Sequence, residues 1–301
     1  MVYTSFQTVG DNFDPSKFAF RRISRIYPIY IIYALIYLYF YYSIDAGKSL
    51  STAQFFGSLL LLPGYSSLII GPGWTLSYEV YFYLCFGIAM MLGLTRGLLA
   101  LTVFFIAAIM VRFAFDTSNP VVHVFTGSLL IEFLFGAWIG YAVISKVSVG
   151  NSVANLMLLL AAAVFGAGIA FGYTLLPSAL TWGVPSALLV AGLVFRESNG
   201  SVPSLIKKLS FLGDSSYSLY LLHVALIDAV ILLAISAYKP TTQYAALIGP
   251  FGMMAICVAI TAYCIAVALV SYEFVERKLL VQLQSLHKRK IAVVRDKQKV
   301  G

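Results

Sequence analysis

Eight apolar runs, each long enough to cross roughly 30 Å of hydrocarbon as a helix, follow one another along this chain. They lie at about 27–43, 74–94, 97–115, 123–144, 154–173, 178–195, 216–236 and 248–272. Inside lipid every backbone N–H and C=O must find its partner within the protein, a condition that a helix meets alone and an open strand does not. The runs therefore predict an all-α, polytopic transmembrane helix bundle of about eight spans. Segment 52–71 is apolar too, but Pro63, Gly64, Gly71, Pro72 and Gly73 break or close it, and it reads as a re-entrant or surface piece.

A soluble domain is excluded by composition, since 60% of the 301 residues are hydrophobic and only 11% charged. Charge placement then fixes the orientation. With 1–26 on the cytoplasmic side, seventeen of the 20 Lys and Arg residues fall in cytoplasmic segments, Lys48 and Lys239 fall outside, and Arg112 lies within a span. Short loops rich in Lys and Arg stay in the cytoplasm, so both termini are expected there. The net charge of +8 follows from this sorting, and it implies membrane lipids rather than nucleic acid as partners. The expected division is a basic entry segment at 1–26, the bundle at 27–276 and a basic tail at 277–301. Cys257 and Cys264 are seven residues apart on one helix, about 10 Å along its axis and too far to bridge. Three scattered histidines give no metal-ligand spacing, so no metal is expected.

Two polar strings open spans, Trp74-Thr75-Leu76-Ser77-Tyr78-Glu79 and Ser216-Tyr217-Ser218-Leu219-Tyr220-Leu221-Leu222-His223. Ionisable groups at such depth are costly unless protein or water surrounds them, so both strings point to a polar chamber inside the bundle. Ser216, Tyr220 and His223 share a helix face. Glu79 is read as orienting a base or an Arg, or as pairing with Arg112 or a backbone donor to hold helices together. Glu132 calls for a partner, with Arg112 one option, while Gly136 and Gly140 form a small-residue stripe suited to close helix approach. Tyr27, Tyr30, Tyr33, Tyr37 and Tyr41 recur at helical spacing and are read as packing with occasional hydrogen bonds. His123, at the outer boundary, and His287, in the tail, are placed outside the chemistry.

Four strings taken in order, Arg21-Arg22-Ile23-Ser24-Arg25-Ile26-Tyr27-Pro28, Trp74 to Glu79 with Tyr81-Phe82-Tyr83, Glu132-Phe133-Leu134-Phe135-Gly136, and Phe211-Leu212-Gly213 leading into Ser216 to His223, resemble the membrane acyltransferase 3 family. The likeness runs from residue 17 to about 278. It implies part of a ten-helix core that takes an acyl group, acetyl above all, from cytoplasmic acyl-CoA and places it on a hydroxyl of an exported or cell-surface polysaccharide or lipid-linked sugar. The tyrosine-rich first span and the Asp14-Pro15 turn are most similar to the branch that decorates rhizobial-type exopolysaccharide. Members carry, in their first transmembrane helix, an Arg followed eleven residues later by a His regarded as the catalytic base. The opening spans here hold no such pair, and Met1-Val2-Tyr3-Thr4-Ser5-Phe6 reads like the end of an apolar helix. The resemblance thus implies that the first two family helices are absent.

On that resemblance, Arg22 and Arg25, three apart on one helix face, are expected to grip the coenzyme phosphates, with Ser216 beside the coenzyme. As flanking residues of a span they also satisfy the positive-inside rule. Glu79, His223 and Tyr220 are given supporting catalytic roles; Trp74, Ser77 and Glu132 are expected to meet the sugar. Trp74 also suits a membrane interface, and a buried His is commonly a hydrogen-bonded core residue. Two other classes stay open. A polysaccharide-export transporter component would be marked by internal repeats, of which none is evident, and an inactive acyltransferase fragment would lack the base.

Overall fold

The computed structural model describes residues 13–44, 50–114, 119–172, 178–200, 204, 208–237 and 242–286. The opening residues 1–12, Lys48, Lys239, His287 and the rest of the basic tail lie outside them, as does the Tyr41 side chain. Among the described residues there are helices and no strands. Six helices have the length and apolar character to cross a membrane: Gly73–Leu92, Leu94–Arg112, Pro120–Ile144, Asn151–Phe171, Ala179–Ser198 and Phe251–Leu286. Ser216–Leu232 is a shorter apolar helix, and the first expected span lies within a 30-residue helix, Pro15–Ile44.

In chain order the helices are α1 (Pro15–Ile44), α2 (Thr52–Leu59), α3 (Gly73–Ala89), α4 (Leu94–Ala114), α5 (Pro120–Phe125), α6 (Leu129–Ile144), α7 (Asn151–Phe171), α8 (Val184–Ser198), α9 (Phe211–Asp214), α10 (Ser216–Ala237) and α11 (Thr242–Ser271). Local sequence explains their ends. Asp14 caps α1, its Oδ1 accepting from the Lys17 N–H at 3.0 Å, with Pro15 supplying the helical φ of the first turn. Ser51 and Gln54 cap α2 reciprocally, at 3.2 and 2.8 Å. That helix has eight residues, so 52–71 does not cross. The run expected at 123–144 falls in the apolar segment Pro120–Ile144, whose helix is interrupted at residues 126–128 between α5 and α6. Gly249 has φ of 64° inside α11; it precedes Pro250, which disfavours helical geometry at the residue before it. The expected end of the bundle at 276 is not the end of a helix, since a π-helical turn at Tyr272–Glu276 leads into a helix that runs to 286.

The chain divides into two compact units, and each is built differently. The first comprises Met1–Arg21 and Thr75–Lys208. Its interior is aromatic: Phe82, Phe86 and Phe105 are buried, Phe82 stacks on Phe133 at 4.8 Å, and Phe18 meets Phe86 at 5.5 Å. Beside this cluster α7 and α8 touch through small residues. Ala154 and Ala191 are buried, and a Cβ on Gly192 would lie 2.8 Å from the Leu158 side chain. Gly136, by contrast, is exposed with nothing within 4 Å of a Cβ placed on it. Gly136 of the expected stripe thus makes no close approach, while Gly192 makes one.

The second unit comprises Arg22–Trp74 and Leu209–Gly301. Tyrosine hydroxyls tie its helices to neighbouring backbone. Tyr30 donates to Ser58 O at 2.9 Å, Tyr27 to Leu60 O at 3.3 Å and Tyr217 to Ile26 O at 2.9 Å. Tyr37 donates to Leu221 O at 3.2 Å and accepts from the Ala225 N–H at 2.8 Å. The tyrosines expected mainly to pack, with occasional hydrogen bonds, thus bond at Tyr27, Tyr30, Tyr33 and Tyr37 alike. Outward surfaces of both units are apolar, with Val103, Leu159, Phe171 and Phe251 all exposed, as helices solvated by lipid require.

Candidate functional site

The sequence-expected residues divide between the units. Ser77, Glu79 and Glu132 belong to the first, and Arg22, Arg25, Trp74, Ser216, Tyr220 and His223 to the second. In the first unit α3 buries Ser77 and Tyr78 and leaves Glu79 half-buried. The partner of Glu79 is Tyr83, one turn further on, whose hydroxyl donates to Oε1. Among the described residues Arg112 forms no ion pair with Glu79 or Glu132; it lies near enough to Tyr78 to act on it electrostatically. Glu132, in the first turn of α6, packs on the π-helical turn Ala179–Gly183 before α8. A Cβ on Gly183 would sit 2.9 Å from Glu132 Cγ, so glycine there makes room for the acid.

In the second unit Arg25 and Ser216 are exposed, Arg22 is half-buried and Trp74 is 47% exposed. His223 Nδ1 lies 2.7 Å from the carbonyl oxygen of Tyr220. A carbonyl can only accept, so Nδ1 carries a proton, and in the neutral imidazole Nε2 presents its lone pair. Tyr220 donates its own proton to Pro72 O. Its ring lies 6.0 Å from the imidazole.

Behind these residues lies a group that sequence reasoning missed. Glu276, 1% exposed, accepts from the Ser218 hydroxyl at 2.5 Å. Tyr33 donates to Ser218 Oγ at 3.4 Å and also bonds the Ser271 hydroxyl. Arg25 acts on Glu276 electrostatically. The available signal was an acid in Ser271-Tyr272-Glu273-Phe274-Val275-Glu276 closing an apolar helix; which acid turns inward depends on the π-helical turn, which spacing does not announce. Taken together, the second unit holds an imidazole with a free acceptor nitrogen, exposed guanidinium and hydroxyl groups, and a satisfied buried carboxylate.

Comparison with known proteins agrees with the motifs. The acyltransferase 3 family, described as an "Acyltransferase domain", matches residues 10–270. The "Exopolysaccharide production protein ExoZ" of Rhizobium meliloti (strain 1021) is 30% identical over 187 residues, which are 60% of this chain and 56% of that protein. The chain thus spans little more than half the length of this curated relative. No solved structure matches. With the family match covering most of the helical segments and all four motif strings within or overlapping it, this chain belongs to the acyltransferase 3 family.

Proposed function

We propose that this chain is an integral-membrane O-acyltransferase that moves an acyl group, acetyl in particular, from cytoplasmic acyl-CoA to a hydroxyl of an exported or cell-surface polysaccharide. The observation that carries this reading is the family match over residues 10–270; the name of the rhizobial relative supports a sugar polymer as acceptor. In the reaction the hydroxyl oxygen attacks the thioester carbonyl and its proton passes to a base. Collapse of the tetrahedral intermediate forms the ester and expels the coenzyme thiolate, which takes up a proton. His223 and Tyr220 have supporting roles in this step. Arg22 and Arg25 bind the coenzyme phosphates, with Ser216 alongside; Trp74, Ser77 and Glu132 meet the sugar, and Glu79 supports them.

Membranes carrying the protein, given radiolabelled acetyl-CoA and de-acylated exopolysaccharide, should place alkali-labile label on the polymer. Polymer transported without label would support an export component instead. Replacing Arg22 and Arg25 together by Gln removes two charge-assisted contacts to phosphate, each worth about 1.5–3 kcal/mol, and should raise the KM for acetyl-CoA at least tenfold. An unchanged KM would remove them from the coenzyme site.

A further inference from the structure

Tyr78 lies within the Trp74 to Glu79 string, yet acyl transfer as described gives it no task. It is 2% exposed, and its hydroxyl lies 2.9 Å from His123 Nδ1 and 3.2 Å from the His123 carbonyl oxygen. That carbonyl belongs to the last turn of α5, where the Gly127 N–H goes to Val124 O instead. Carbonyls at a helix C-terminus lack intrahelical donors and carry partial negative charge. The phenolic proton therefore caps His123 O, which leaves the phenol oxygen to accept from Nδ1–H. Nε2 is then an acceptor on a residue that is exposed. The room for this arrangement is specific: a Cβ on Gly127 would lie 2.5 Å from Tyr78 Cε1, 2.8 Å from its hydroxyl and 3.0 Å from His123 O.

With Nδ1–H directed at the phenol oxygen, the neutral imidazole turns its Nε2 lone pair outward and accepts from O–H donors. A hydroxyl-bearing molecule is thus a ligand that it can take. We propose that His123 binds the polysaccharide acceptor, its Nε2 receiving a sugar hydroxyl, and that Tyr78 is the positioning residue that fixes the imidazole. The choice of a sugar rests on the acyl-transfer reading above.

The full chain in membranes tests this with radiolabelled acetyl-CoA and de-acylated exopolysaccharide. His123→Ala should raise the KM for polysaccharide roughly tenfold, the worth of one good hydrogen bond, and leave the KM for acetyl-CoA unchanged. Tyr78→Phe should shift the same constant by several-fold. An unchanged polysaccharide KM in His123→Ala, or equal changes in both constants, would overturn the proposal. If the unaltered chain transfers no label, the acyl-transfer reading fails, and diethyl pyrocarbonate footprinting of that same chain decides the inference separately. De-acylated exopolysaccharide should slow modification of His123 several-fold; modification at the original rate would refute the assignment.

Discussion

The two units hold apolar helices together by different mixtures of the same two means. In the first, rings pack on rings, as at Phe82, Phe105 and Phe133; in the second, hydroxyls bridge helices, as at Tyr30, Tyr37 and Ser218. Lipid removes the hydrophobic drive for helices to associate, so shape complementarity and interhelical hydrogen bonds are what remain. Each unit leans on one of them. The first unit adds a few polar ties to its packed rings, such as Trp138 Nε1–H to Thr102 Oγ1 at 3.1 Å and Tyr78 to His123, so the difference is one of proportion: rings fix shape, and hydroxyls also hold protons.

The largest test of this contrast is Phe82→Ala. Truncating a buried ring stacked on two others should cost about 3–5 kcal/mol, read as a shift in unfolding in mixed detergent. A loss below about 1 kcal/mol, the range of a single hydrogen bond, would show that ring packing is not what holds the first unit. In the second unit Ser218→Ala leaves a buried carboxylate without its donor, at about 1–3 kcal/mol. Adding Glu276→Gln should restore part of that loss, and no loss in the single variant would break the comparison from the other side. The smallest effect belongs to Arg277→Ala. Its ion pair with Glu273 at 2.8 Å is exposed on both partners, and such pairs contribute little; the unfolding midpoint should not move measurably.

The spans were legible in the sequence because a bilayer imposes a length, and the tyrosine stripe because α1 keeps a regular period through Tyr27, Tyr30, Tyr33 and Tyr37. Partners across helices were not. Arg112 was one option as counterion for Glu79 or Glu132, and Glu79 bonds Tyr83 on its own helix instead. Spacing allowed that pair, but charge drew attention to the Arg. His123 was set aside for its place at a boundary, since nothing in a linear string says that Tyr78 will reach it across 45 residues. The apolar run fades at Glu276, while the helix continues to residue 286.

The turn at Tyr272–Glu276 has a wider consequence. A π-helical turn inserts one residue into the α ladder, which rotates everything beyond it by roughly 100° relative to an uninterrupted helix. Residues 277–286 are therefore out of phase with the stripe that governs 251–271, and each half of this long rod presents a differently aimed face. Deleting a single residue between 272 and 276 would bring the halves back into phase and swing the inward carboxylate away from Ser218, without altering any side chain that touches it.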